Sequence, residues 1–246
     1  MEVGFKTDKG IRRSNNEDAC FVMIKEKVFI IADGVGGNNS GEIASRTAVN
    51  EVAKYIEEHP LDKIKGSKAI EEYFNQCIKE VNFKVLELSQ KFEQNKGMAT
   101  TLVVAYLHKK KFYVFNVGDS RAYIFKKNQL SQITVDHTYV NTLIKAGLIS
   151  EEEAETHENK NMITRAIGAD YDVEVDSFEL KVNADDIVLM CTDGLYGEVS
   201  EEQIIDILNK GTVMGDVCNL LIDKANDSGG NDNITIICLK IMEEDI

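Results

Sequence analysis

The spacing of hydrophobic positions changes several times along this chain, and each change marks an element. Short apolar runs at 20–24 and 28–32, separated by the polar Lys25-Glu26-Lys27, predict two strands joined as a hairpin. From Ser40 the period lengthens. Ala44, Ala48, Val52 and Ile56 recur every fourth residue, one face of a helix that Ser40 is placed to cap. A second helix carries Ile70, Phe74, Cys77, Ile78, Val81, Val85 and Leu88 at steps of three and four, ends before 95–97, and is expected beside the first. Strand patterns return at 101–107, 111–117 and 121–125, with a tight basic turn at 108–110, and predict an antiparallel meander.

Residues 137–172 break this rhythm. Apart from Val140, Leu143 and Ile144 they are mainly polar, and they separate two groups of strands, as an insertion or flap over a site would. Strands resume at 173–180 and 186–191, helical spacing follows at 201–208 and 213–225, and a last strand is predicted at 234–241. Strand groups and helix pairs in blocks, without strict βαβ alternation, predict an α+β layered fold with antiparallel sheet. One proline, Pro60, and no Pro/Ser-rich stretch leave no linker, so 1–246 reads as a single domain.

Several apolar runs end on an acid. Glu17-Asp18 closes Arg13-Ser-Asn-Asn-Glu-Asp, Asp33 follows Ile-Ile-Ala, Asp119 follows Asn-Val-Gly, Asp193 follows Leu-Met-Cys-Thr, and Asp232-Asn233 precedes the last strand. A lone carboxylate is costly to bury, so acids emerging repeatedly from core strands point to a shared site holding positive charge. Any one of these segments is an ordinary turn by itself. It is their joint occurrence that argues for a site.

Composition narrows the chemistry. The 42 acidic against 28 basic residues give a formal charge of -14, which argues against a nucleic-acid binder. Five cysteines, Cys20, Cys77, Cys191, Cys218 and Cys238, form no C-x-x-C pair and read as reduced core residues of a cytoplasmic protein. The N-terminal residues carry no basic-then-apolar leader, and no apolar run approaches the ~20 residues of a membrane span. No membrane partner is therefore expected.

Carboxylates and a backbone carbonyl, with no His in the same segments and the one Cys, Cys191, inside an apolar core run, suit Mg²⁺ or Mn²⁺ rather than Zn²⁺ or copper. In Asp33-Gly-Val-Gly-Gly the glycines let the chain turn so that the Gly34 carbonyl can join the Asp33 carboxylate on one ion. Glu17, Asp33, Asp119, Asp193 and Asp232 sum to -5. Two divalent ions supply +4, which leaves room for a third. Two such ions hold and acidify a bridging water that can attack an electrophile, and Arg13 can grip a phosphoryl group with its planar fork. Metals plus arginine point to a phosphate ester.

Other chemistries fit less well. Gly34-Val-Gly-Gly-Asn-Asn approaches a dinucleotide fingerprint but ends on Asn39 without a parallel-sheet pattern. Ser120 lies outside any G-x-S-x-G and reads as a hydrogen bonder at a strand start. His59, His108 and His157 read as solvated, whereas His137, at the start of the insertion, is a candidate proton carrier.

Taken in order, these segments resemble the bacterial branch of the metal-dependent protein phosphatases, the protein phosphatase 2C type. The matching stretches are Arg13-Ser-Asn-Asn-Glu-Asp18, Asp33-Gly-Val-Gly-Gly with Gly41-Glu42, Gly97-Met-Ala-Thr-Thr101, Gly118-Asp-Ser-Arg121, Asn161-Met-Ile-Thr-Arg-Ala-Ile-Gly168, Asp193-Gly-Leu and Gly230-Asn-Asp-Asn233. They span nearly the whole chain. The resemblance implies a four-layer α-β-β-α sandwich of two antiparallel sheets flanked by helix pairs, with a flap at about 137–172. It implies hydrolysis of phosphoserine and phosphothreonine on proteins by a hydroxide bridging two Mn²⁺ or Mg²⁺ ions, without a phosphoenzyme.

By the same resemblance Asp33 bridges the ions, with the Gly34 carbonyl on the first and Asp193 and Asp232 on the second. Glu17 and Asp18 act through water, Asp119 with Asp193 holds a third ion, Arg13 binds phosphate, and Thr101 and Asn233 support. The implied partners are phosphorylated proteins, a serine/threonine kinase and its substrates among them, met by a monomer. Many relatives carry a histidine in or after the D-G-x-G-G segment. Here Val35 and Asn38 stand there, which leaves water or His137 to protonate the leaving alkoxide. A small-molecule phosphohydrolase and an inactive phospho-binding module are the alternatives.

Overall fold

The computed structural model describes residues 1–37 and 40–246. It opens on a strand that the apolar pattern does not announce, β1 (Glu2–Asp8). The predicted hairpin follows as β2 (Asp18–Met23) and β3 (Val28–Val35). Helices α1 (Ser40–Glu58) and α2 (Ser67–Lys91) bury the predicted faces. Strands β4 (Ala99–Thr100), β5 (Leu102–His108), β6 (Lys111–Val117), β7 (Arg121–Lys126) and β8 (Gln129–Gln132) form the central run. The insertion carries two short helices, α3 (Tyr139–Lys145) and α4 (Glu151–Glu155). Then come β9 (Asp176–Lys181), β10 (Ile187–Cys191), the single turn α5 (Asp193–Tyr196), α6 (Glu201–Lys210), α7 (Met214–Ser228) and β11 (Ile234–Lys240).

These strands make two sheets, ordered β1-β11-β10-β7-β8 and β2-β3-β5-β6-β9, with β4 paired to β3. The paired strands are antiparallel throughout. Side chains alternate between the faces of a strand, so each central strand serves two cores. From β3, Val28, Ile30 and Ala32 pack under α1 and α2, while Phe29 and Ile31 face the other sheet. From β10, Leu189 and Cys191 pack under α6 and α7, while Val188 and Met190 face inward. This is the α-β-β-α sandwich. Burial on both faces explains why the central strands read as continuous apolar runs.

Three local expectations are corrected. Ser40 is already inside α1, and its hydroxyl donates to the Gly37 carbonyl at 2.6 Å instead of accepting as a cap. The strand predicted from 173 begins at Asp176, which pairs with Asn116, the last but one residue of β6. Val173 instead enters the core beneath α2. The insertion is less polar than its sequence suggests, with Val140, Ala154, Ala166 and Ile167 buried. It is pinned by paired backbone bonds between Thr100 and Ile167 and by Asn82, whose Oδ1 accepts from the Gly168 N–H at 2.7 Å. Asn38 and Asn39 lie outside the described residues.

Candidate active site

The inner stripes of the strands keep their period of two but change character at one end of the sandwich. Phe29 and Ile31 continue to Asp33, Val22 and Cys20 to Asp18, Val103 to Thr101, Val188 and Met190 to Thr192, and Leu239 and Ile237 to Thr235 and Asn233. The apolar layer between the sheets thus becomes polar where the strands end. Ten residues were expected at the site. Nine of them, Arg13, Glu17, Asp33, Gly34, Thr101, Asp119, Asp193, Asp232 and Asn233, line one cavity of about 330 Å³ there. Asp18 stands just behind its wall, directly opposite Asp33 in the β2–β3 register and 4% exposed.

Backbone contacts fix these positions. The Asp33 N–H donates to Thr101 Oγ1 at 2.9 Å, and the Thr101 N–H returns a bond to the Asp33 carbonyl at 2.8 Å. The Glu17 N–H donates to Asn233 Oδ1 at 2.8 Å, while Asn233 Nδ2 donates to the Lys9 and Asn15 carbonyls. Glycine is required at Gly34, where a Cβ would lie 2.1 Å from the Gly41 carbonyl oxygen in the first turn of α1. Gly194 is equally confined, since a Cβ there would lie 2.0 Å from the Asn233 oxygen. Tyr196, one turn after Asp193, donates its hydroxyl to the Asp119 carbonyl at 3.0 Å. Arg121 stacks on the Tyr196 ring at 3.6 Å and forks onto Asp136.

Crowding of carboxylates dominates the electrostatics. Burial, with the neighbouring Asp18 and Asp193 charges, pushes the Asp33 carboxyl well above its ordinary value. Burial raises Asp18 and Asp119 to about 7, and burial with Asp232 raises Asp193 to about 6. Asp33 and Asp193 titrate as neighbours, the charge of each opposing ionisation of the other. Arg13 Nη2 lies 2.6 Å from Asp232 Oδ2. Burial by itself lowers the Arg13 pKa, but the Asp232 bond and the Asp193 and Asp33 charges carry it above the ordinary value.

This donor set fits hard divalent cations. The oxygens Asp18 Oδ1 and Asp193 Oδ1 are buried without any hydrogen-bond partner, a costly arrangement for groups that a cation or its hydration would satisfy. Among the described residues no three His, Cys, Asp or Glu side chains are already gathered to hold an ion. Arg13 holds Asp232 by an ion pair at the cavity rim.

His137 is not part of the cavity wall. Its Nδ1 accepts from the Gly118 N–H at 3.0 Å, which puts the ring proton on Nε2, 3.2 Å from Asp176 Oδ2. Arg165 Nη1 is 2.9 Å from the same Nε2, but two donors face each other there, and the real partner of Nη1 is Asp176 Oδ1 at 2.7 Å. Burial lowers the His137 pKa, the Asp176 bond opposing and the Arg165 charge adding to it. With both nitrogens engaged the ring cannot deliver a proton to the cavity. From the insertion, Asn161 and Ile163 reach the wall instead. The sequence reading also passed over Thr192, Thr235 and Tyr196. The first two had a signal, a polar residue on an otherwise apolar inner stripe.

A four-layer sandwich with an oxygen-rich, acid-lined cavity at the end of its inter-sheet layer defines a class of cation-dependent hydrolase scaffold. Residues 9–220 match the family described as Protein phosphatase 2C, and the chain belongs to that family. It is 36% identical to the serine/threonine phosphatase stp of Listeria welshimeri over 243 residues, covering 98% of this chain and 96% of that one. The S. agalactiae serine/threonine phosphatase structure superposes with a TM-score of 0.90 at 34% identity, covering 98% and 99%. The catalytic domain of PstP, solved in complex with two manganese ions, superposes with a TM-score of 0.85 at 28% identity, covering 98% of each chain.

Proposed function

We propose that this chain removes phosphate from serine and threonine side chains of proteins, as a metal-dependent phosphatase in which one domain, 1–246, forms the whole catalytic unit. The observation that carries the reading is the cavity itself, where Arg13 faces Asp33, Asp119, Asp193 and Asp232. Asp33 and the Gly34 carbonyl, with Asp193 and Asp232, would hold two divalent ions, Mn²⁺ or Mg²⁺. Asp119 with Asp193 would hold a third, and Glu17 and Asp18 would act on the ions' hydration. When bound, such ions acidify a water towards neutrality as the nucleophile and draw charge from the phosphoryl oxygens.

The remaining steps belong to side chains. Arg13, half exposed at the rim, exchanges its bond to Asp232 for a fork onto the incoming phosphate. That exchange would release the Asp232 carboxylate from Arg13 and leave it available to a cation. Val35 offers no acid, and His137 is spent on Gly118 and Asp176. The proton for the leaving alkoxide therefore comes from water in the cavity. Asn161 and Ile163 bring the insertion to the substrate and select among phosphoproteins.

The setting is proposed to be cytoplasmic, acting as a monomer and opposing a serine/threonine kinase. Among the described residues no helix is long and apolar enough to cross a membrane. Purified protein is expected to cleave a phosphothreonine peptide with Mn²⁺ or Mg²⁺ and to stop in EDTA. Full turnover in EDTA overturns the metal chemistry. A higher kcat/KM for metabolite phosphates than for phosphopeptides overturns the protein substrate. Phosphoproteomics of a deletion strain tests the kinase pairing, and no rise in phosphothreonine on any protein counts against it.

A further inference from the structure

Asp18 is held by a chain of hydroxyls in which each hydrogen has only one place to go. The Thr235 N–H donates to Thr192 Oγ1 at 3.0 Å, and Thr192 in turn donates its hydroxyl to Asp18 Oδ2 at 2.9 Å. The Thr235 hydroxyl donates to the same Oδ2 at 2.7 Å. Thr235 must then accept from Thr7, 2.7 Å away and its register partner in β1. Thr7 accepts from Asn16 Nδ2 at 2.9 Å, and the Asn16 Oδ1 receives the Asp18 N–H at 3.2 Å. The circuit closes on itself with Oδ2 receiving two donors and Oδ1 receiving none, although both oxygens are buried.

Its course across the fold matters. Thr235 belongs to the five-stranded sheet and Thr192 directly follows its strand β10, whereas Asp18 belongs to the other sheet, and all three face the layer between them. The Asp18 side chain therefore has its rotamer set from the opposite sheet, on the same face as Asp33. We propose that Thr192 and Thr235 are positioning residues for the cation site: by saturating Oδ2 they turn Oδ1, and only Oδ1, towards a divalent ion or its hydration. The inference rests on the phosphatase reading above and adds two residues that neither line the cavity nor touch substrate.

Isothermal titration of the whole protein with Mn²⁺ alone tests it. Thr192→Val and Thr235→Val preserve shape and remove a donor. Each is expected to weaken Mn²⁺ binding by roughly 10-fold, the usual consequence of losing a group that orients a ligand. KM for a phosphothreonine peptide at saturating Mn²⁺ is expected to stay unchanged. Thr192→Ser and Thr235→Ser, which keep the hydroxyl, are expected to bind Mn²⁺ like the parent. In an Asp18→Ala background the valine substitutions are expected to change nothing further.

Parent-like Mn²⁺ affinity in both valine variants overturns the proposal. So does equal weakening by serine, which would make the effect one of packing, or undiminished weakening in the Asp18→Ala background. Failure of the parent protein itself to bind Mn²⁺ or to cleave the peptide sinks the phosphatase reading instead, and the two failures are distinguishable.

Discussion

The two ends of the layer between the sheets are made by the same strands and solve opposite problems. At one end Phe29, Val114, Val188 and Leu239 fill the space with hydrocarbon. At the other, the same stripes bring Asp33 and Thr101 to a cavity where carboxylates crowd one another, with Asp18 and its partner Thr192 behind the wall. Truncation at the apolar end leaves a void, whereas truncation at the acid end removes a repulsion. Stability and chemistry therefore respond with opposite sign along a single strand.

That contrast breaks most sharply at Asp33 and Phe29. Asp33→Ala and Asp193→Ala are each expected to lower phosphopeptide turnover by at least ~1,000-fold, by loss of the ions that activate water. In EDTA their thermal midpoints are expected to match or exceed the parent's. Phe29→Ala is expected to cost ~3–5 kcal/mol in denaturant unfolding while the folded fraction keeps its turnover. An Asp33→Ala protein that unfolds early in EDTA would make the acid end a structural element and remove the contrast.

A pH series sharpens the same comparison at smaller amplitude. Asp18 and Asp119, ordinarily at 3.8, lie at about 7 in the folded protein, and Asp193 lies at about 6. Between these values the folded chain keeps protons that the unfolded chain has released. Their contribution is complete below about 3.8 and is lost as the pH rises through about 7. In EDTA the thermal midpoint should fall by several degrees from pH 5 to pH 8. Mn²⁺ should cancel the fall, because it replaces those protons. A midpoint that rises over this range in EDTA contradicts the crowding.

His137→Ala is expected to cost ~1–3 kcal/mol by stranding the Gly118 N–H and Asp176, and to leave the shape of the pH–rate profile unchanged. A lost acidic or basic limb would restore His137 to the chemistry. Smallest of all, Asp206→Ala removes an exposed pair with Lys210 on α6 and should shift stability by less than ~0.5 kcal/mol in the same unfolding assay.

Much of this was legible in the sequence because acids that close core strands stand out against apolar runs. Asp33 was visible as such a strand-end acid, although a strand apolar on both faces does not show which face the acid takes. What escaped was set by partners distant in sequence. β1 is interrupted by Gly4, which exists because the Met214 carbonyl of α7 passes within 2.1 Å of where a Cβ would be. The polar edge strand β8, Gln-Leu-Ser-Gln, has no apolar stripe at all. His137 looked available because its chain neighbours are polar. Its real surroundings are Gly118, Arg165 and Asp176, brought in by the fold. Thr192 and Thr235 are unremarkable residues until the sheets face each other.

The insertion divides the chain but not the sheets. In one sheet β11 and β10 lie between β1 and β7; in the other β9 closes against β6. Strands from before and after residues 137–172 are thus paired in both layers, interleaved in the first and joined at the edge in the second. A chain cleaved once within α4 would yield two pieces that cannot part without tearing the β1–β11, β7–β10 and β6–β9 ladders together. Nicked protein should migrate as two bands in denaturant and as one particle without it, its cavity still shared between fragments.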